Sequence, residues 1–150
     1  MKNRLYPILF GGDGGGSAVA DAGLLLLRLF AGLALAFAHG VNKMPPSEGF
    51  VTSVGELGYP APGFFAWAAG FSEFLGGLLL ALGLLTRPAS LFIAVVMATA
   101  AFGRHADDPF SVKEKPLLFL AVVLMFLLAG SGRYGLDRLI YRKRDDRIWR

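Results

Sequence analysis

The sequence contains no cysteine, which excludes a disulfide, a thiolate metal centre and dithiol redox chemistry carried out by the chain alone. Charge is also scarce, at 17% of residues against about 25% in an ordinary soluble domain. The net charge of +4 and the pI near 9.7 do not point to nucleic acid. The basic residues gather toward the chain ends instead of alternating with aromatics on one face. What is abundant is apolar: 55% of the 150 residues, with a mean hydropathy of +0.55. A single domain of this length cannot hide several apolar runs of nearly twenty residues in a soluble core. A bilayer accepts about 20 helical residues per crossing.

Four such runs follow a lead-in. Residues 1–22 include the stretch Gly11 to Ser17 and read as a flexible, glycine-rich segment. Ala36-Phe37-Ala38 resembles a signal-peptide cleavage site, but a long lead-in with Asp13 and Asp21 favours a retained span. The first run extends from about Gly23 to Val41 and stops before Pro45-Pro46. The second extends from about Pro62 to Leu85 and is closed by Thr86-Arg87-Pro88. The third, about Ala89 to Phe102, is short, so it must continue past a snorkelling Arg104 or lie where the bilayer thins. The fourth runs from about Pro116 to Ala129, ahead of Gly130-Ser131-Gly132. Phe50, Val54 and Leu57 recur at helical spacing between the first two runs. They suggest a short interfacial helix, with an irregular loop as the alternative. The expected fold is an all-α membrane protein, a four-transmembrane-helix bundle over residues 23–140 with a basic tail at 141–150.

Orientation follows from the cations. With four crossings, Lys2, Arg4, Arg87, Arg133, Arg138, Arg142, Lys143, Arg144, Arg147 and Arg150 share one side, and Lys43, Arg104, Lys113 and Lys115 the other. The positive-inside rule then puts both termini in the cytoplasm. The tail reads as a contact for anionic membrane lipids or for a cytoplasmic protein partner.

Ionisable groups at bilayer depth cost at least about 2.5–3.5 kcal/mol on insertion scales, so each needs a companion or a cavity. Glu73, mid-run among Phe71, Phe74 and Leu75, is the clearest case. It is either a structural pair or hydrogen-bonded acid, or a ligand or proton site. Gly70, Gly76 and Gly77 flank it, and together with Gly32 and Gly83 they suit close helix packing. Arg28 and His39 are separated by nearly three helical turns, which places them on one face about 16 Å apart. Arg28 either snorkels or shares a site with His39 and Glu73. His39, Asn42 and Lys43 fit the mouth of a pocket, and imidazole exchanges protons near neutral pH. His105 and Glu114 fall on the same outer side, so His39, Lys43, His105 and Glu114 are expected to form one polar patch. The two histidines lack metal-ligand spacing, so no metal is expected.

These residues resemble the DoxX family of small four-helix bacterial inner-membrane proteins. The resemblance is carried by Leu27-Arg28-Leu29, His39-Gly40-x-x-Lys43, Gly58-x-Pro60, the run from Glu73 through Gly76-Gly77 and Gly83 to Thr86-Arg87, Glu114 before Pro116-Leu117-Leu118, and Gly130-x-Gly132-Arg133-Tyr134-x-Leu136-Asp137. Gly135 departs from a serine usual in the family, which removes a cap but no evident chemistry. The resemblance implies an inner-membrane location and, for some relatives, a subunit of thiosulfate:quinone oxidoreductase or an anchor for oxidative-stress enzymes.

Three functions are compatible with this pattern. One is a redox-assembly subunit holding a quinone or lipid-like ligand beside Arg28, His39 and Glu73. As an enzyme it would need a partner subunit to bring electrons, because the chain carries no cofactor motif. The second is a structural accessory subunit of a larger membrane complex. The third is a small-solute or proton conductor.

Overall fold

The computed structural model describes residues 18–141. The lead-in before Ala18 and the basic tail beyond Tyr141 lie outside the described residues. Helix α1, Ala18–Leu33, starts ahead of the expected Gly23, with Asp21 in its first turn, where a carboxylate suits the helix dipole. The chain then continues as a π-helix, Ala34–Gly40, and a 3-10 turn, Val41–Lys43. Helix α2, Glu48–Glu56, forms where Phe50 and Val54 showed helical spacing, and Ser47 caps it by accepting from the Phe50 N–H at 3.3 Å.

Helix α3, Pro62–Leu82, opens on a proline, which fits a first turn, and ends at Gly83 in the left-handed region (φ 65°). Helix α4, Thr86–Ala98, takes in the Thr86-Arg87-Pro88 stretch that the sequence presents as a breaker. Proline is tolerated there because a first-turn N–H has no intrahelical partner. With its π-helical continuation, Thr99–Arg104, this element reaches 19 residues, long enough to cross. The third run is thus lengthened at both ends. Helix α5, Phe110–Ala129, starts well before Pro116 and carries Lys113, Glu114 and Lys115 in its early turns. Residues 136–141 are helical again.

No strand occurs among the described residues, and three helical stretches are long and apolar enough to cross a membrane: Ala18–Lys43, Pro62–Leu82 and Thr86–Arg104. Helix α3 packs against α1 and α4, and α5 lies along α4. Leu35, Leu80, Ile93, Met97, Val123 and Phe126 fill the centre. Phe30, Phe64, Phe92 and Leu128 face outward, an arrangement that only a hydrocarbon surround makes cheap.

The α1–α3 crossing depends on backbone contact. A Cβ on Gly32 would lie 2.5 Å from the Gly77 carbonyl oxygen, and one on Gly77 2.6 Å from that of Gly32. Gly40, which was not among the expected packing glycines, meets the backbone of Phe74 just as tightly. Gly70 lies against Lys43 and Met44, Gly76 against Ile93, and Gly83 against the Arg28 guanidinium. All five expected packing positions therefore sit at contacts.

The closing motif folds back over the α3–α4 turn. Asp137 is fully buried and accepts from the Leu85 N–H at 2.7 Å and the Thr86 N–H at 3.0 Å. It thereby caps α4 from a distant segment, while its own N–H donates to the Gly83 carbonyl at 2.8 Å. These bonds hold Leu85 at φ 49°, which costs a leucine roughly 1–2 kcal/mol. The glycine at 135 is a packing requirement rather than a missing cap. A side chain there would run into Ser131 and the Arg28 guanidinium.

Candidate functional site: a polar cavity at the Lys43 end of the bundle

Arg28 and His39 do not share a pocket. Arg28 is 1% exposed, and each nitrogen of its guanidinium donates to a main-chain acceptor: Nε to the Ala81 carbonyl at 3.1 Å, Nη1 to that of Ser131 and Nη2 to that of Tyr134 at 3.2 Å. It neither snorkels nor reaches Glu73. It ties α1 to the end of α3 and to the closing motif. The π-helical stretch Ala34–Gly40 begins between the two and contains His39, so the winding changes there.

The other polar residues converge at the opposite end. A cavity of about 340 Å³ is bounded by His39, Lys43, Glu73, His105, Lys115 and Phe119, among others. Glu73 is 1% exposed. Its Oε1 accepts from Lys43 Nζ at 2.5 Å, and its Oε2 is buried with no hydrogen-bond partner. A buried carboxylate oxygen without a donor is costly, and this one belongs to a residue that lines the cavity. The imidazole of His39 stands edge-on to the Phe119 ring, with centroids 5.6 Å apart. His105 sits at the rim, where its Nδ1 is 2.7 Å from Asp108 Oδ2.

Local folding accounts for these placements. His39 belongs to one π-helical stretch, and a second, Thr99–Arg104, ends beside His105. Such stretches are rare and are enriched at functional sites. On α5, Pro116 provides no N–H for the Val112 carbonyl, and both residues line the cavity.

Of the expected patch, His39, Lys43 and His105 come together, and Glu73 joins them. Glu114 does not. It is exposed, and Lys115 takes its place in the wall. The signal for that was present in the sequence, because Ser111, Lys115 and Phe119 repeat every fourth residue on one face and Glu114 is turned away from it. Asn42 is exposed and donates to the Ala38 carbonyl at 3.2 Å. Among the described residues, no three His, Cys, Asp or Glu side chains group closely enough to hold a metal ion.

A second, larger chamber of about 530 Å³ adjoins this cavity, with Lys43, Ala100 and His105 in the walls of both. Its other walls are mainly apolar and come from α2, α3 and α4. Lys43 Nζ lies 5.5 Å from the centroid of Phe50, on the apolar side.

Comparison with known proteins supports the same architecture. The DoxX family profile matches residues 23–106, and the profile described as the TQO small subunit DoxD matches residues 66–149. CatD of Bacillus subtilis, provisionally named an oxidoreductase, is 30% identical over 123 residues, 81% of this chain and 90% of the relative. The inner membrane proteins YqjF and YphA of Escherichia coli are 30% and 31% identical. They cover 82% and 77% of this chain, and 95% and 89% of their own lengths. No solved structure matches the chain. With helices able to cross a membrane, a profile match over more than half the sequence and relatives similar along nearly their whole length, the chain belongs to the DoxX family.

Proposed function

We propose that this protein is a four-spanning inner-membrane subunit of a redox assembly, and that its polar cavity holds the ring of a quinone. The observation that carries the reading is Glu73: one oxygen is paired with Lys43, and the other is buried and unpartnered in a residue bounding a cavity that His39 also lines. Quinone reduction takes up electrons and protons together. Electrons come from a partner subunit, since the chain carries no cysteine and no recognisable cofactor motif. The protein supplies apolar walls, a hydrogen-bond partner for a carbonyl oxygen, and proton-bearing groups within reach.

Helix α5, although it carries Lys113, Glu114 and Lys115, forms the fourth crossing with those charges at its outer end. Helix α2 lies in the interface, and both termini face the cytoplasm. The distribution of cations supports that orientation. The inner-membrane location is supported by the names of the Escherichia coli relatives, and the redox role by the DoxD profile and by CatD. A purely structural role explains Arg28 and Asp137 but gives Glu73 Oε2 no purpose.

The test is saturable binding of the tailless ring in its reduced ubiquinol form, whose hydroxyl can donate to the unpartnered carboxylate oxygen of Glu73, to protein in lipid nanodiscs. Glu73→Gln, folded as judged by its melting curve, is expected to bind at least about tenfold more weakly, the loss of one good charged hydrogen bond. Equal binding by the variant, or no saturable binding by the wild type, removes this reading.

A further inference from the structure

The larger chamber differs in chemistry from the polar cavity it adjoins. Its hydroxyl groups are already engaged within the protein. Ser53 Oγ donates to the Gly49 carbonyl at 3.0 Å, Ser72 Oγ donates to the Ala68 carbonyl at 2.7 Å, and Tyr59 Oη and Thr99 Oγ1 lie 3.2 Å apart. Lys43, at the boundary, is committed to Glu73. Arg104 and His105 add polar groups where the π-helical stretch ends, and the rest of the surface is aromatic and aliphatic. The chamber is also open sideways. Of its lining residues, Phe64 is 69%, Phe92 62% and Val95 57% exposed, and these lie on helices long and apolar enough to cross the membrane. Its volume of about 530 Å³ falls in the range of small-molecule sites, roughly 300–1,000 Å³.

We infer that this chamber takes the hydrocarbon tail of the same molecule whose ring occupies the polar cavity, with the ligand entering sideways from lipid between α2, α3 and α4. The inference rests on the ring site proposed above. Three features carry it: the two spaces meet at Lys43, Ala100 and His105, their linings contrast, and the apolar one opens to hydrocarbon. The ligand is therefore amphiphilic, a compact polar ring on a long apolar chain. Lys43 and Ala100 mark where the two join. Transfer of a tail from lipid to protein gains little hydrophobic free energy, because both are apolar. The chamber's role is accordingly to align the molecule and set the ring's depth.

The experiment compares decylubiquinol with its tailless ring on three proteins in nanodiscs. Val96→Trp fills the chamber, and Leu91→Trp places the same side chain on an exposed surface that does not line it. Val96→Trp is expected to weaken decylubiquinol binding by about tenfold or more and to leave the ring within about twofold, while Leu91→Trp changes neither. Retained ring binding also shows that the variant is folded. Equal losses for both probes, or no loss for either, overturn the tail assignment. Absence of ring binding in the wild type overturns the ring site instead.

A second measurement does not depend on the variant. A decyl chain tipped with a photoreactive diazirine is expected to label Val54, Phe65 or Val96, lining residues less exposed to the surrounding lipid than Phe64 and Phe92. Labelling confined to α1 and α5, or a copurifying phospholipid that decylubiquinol cannot displace from the chamber, overturns the inference.

Discussion

Lys43 Nζ lies 2.5 Å from Glu73 Oε1, joining the last turn of the first span to the middle of α3. Its lysine stands in the walls of both chambers, so the pair fixes the position of the boundary between them. The two partners are not equally buried: the lysine side chain is 31% exposed and the glutamate 1%. Loss of the lysine leaves a buried acid without its cation, whereas loss of the acid leaves a cation that can still reach solvent.

That asymmetry gives the first prediction. Lys43→Met is expected to destabilise the protein by about 2 kcal/mol, less than the 3–5 kcal/mol of a fully buried pair because one partner is solvated. Adding Glu73→Gln to it should restore most of the loss, since a neutral amide replaces the stranded acid. Thermal unfolding of the two single variants and the double variant in one detergent measures the coupling. Additive losses would show that the pair is not the source of the effect.

Gly32 gives a prediction of opposite character, because it concerns backbone and not charge. A Cβ there would meet the Gly77 carbonyl oxygen at 2.5 Å and the Ala81 nitrogen at 2.7 Å, and main-chain atoms cannot swing aside as a flexible side chain does. Gly32→Val is expected to cost about 3 kcal/mol or more, or to prevent folding. Gly23→Ala on the same helix, where a Cβ has nothing within 4 Å, should remain within about 1 kcal/mol of wild type. Melting temperatures of the two variants decide it.

A third prediction concerns the turn that Asp137 holds. Its two oxygens accept from the Leu85 and Thr86 N–H groups, donors at the α4 N-terminus that have no acceptor within the helix. Asp137→Ala is expected to cost about 2 kcal/mol. Hydrogen exchange at Leu85 and Thr86 should speed up well before exchange in mid-α3. Uniform acceleration along α3 and α4 would mean that the aspartate serves the whole bundle and not the turn.

The sequence shows the spans and the acid inside one of them because hydropathy and intramembrane charge are local signals. Glu73, His39, Lys43 and His105 could be picked out by their cost in lipid, and the structure brings all four to one cavity. The ion pair was not legible in the same way. Arg28 is the more obvious partner by charge, yet Glu73 pairs with Lys43, which closes the 3-10 turn that follows a π-helical stretch. No composition signal marks such a change of winding. The length of α5 was obscured for the reverse reason. Lys113, Glu114 and Lys115 depress its hydropathy although they continue the helix. The role of Asp137 depends on a contact between segments more than fifty residues apart, which periodicity does not reveal.

Arg28 offers the sharpest separation between holding the fold and serving the ligand. Its three nitrogens, directed at the carbonyls of Ala81, Ser131 and Tyr134, use the planar fork of a guanidinium, which an ammonium cannot reproduce. Arg28→Lys keeps the charge, and it is still expected to cost about 2 kcal/mol because at least one buried carbonyl loses its donor. The residue does not line the polar cavity, so binding of the tailless ubiquinol ring should be unchanged at temperatures where the variant is folded. Glu73→Gln should give the reverse pattern, with ring binding weakened by about tenfold or more and the melting curve little altered. If Arg28→Lys instead weakens ring binding while melting as wild type, the arginine acts on the ligand after all. The separation of a carbonyl-tied end from a ligand-holding end would then have to be abandoned.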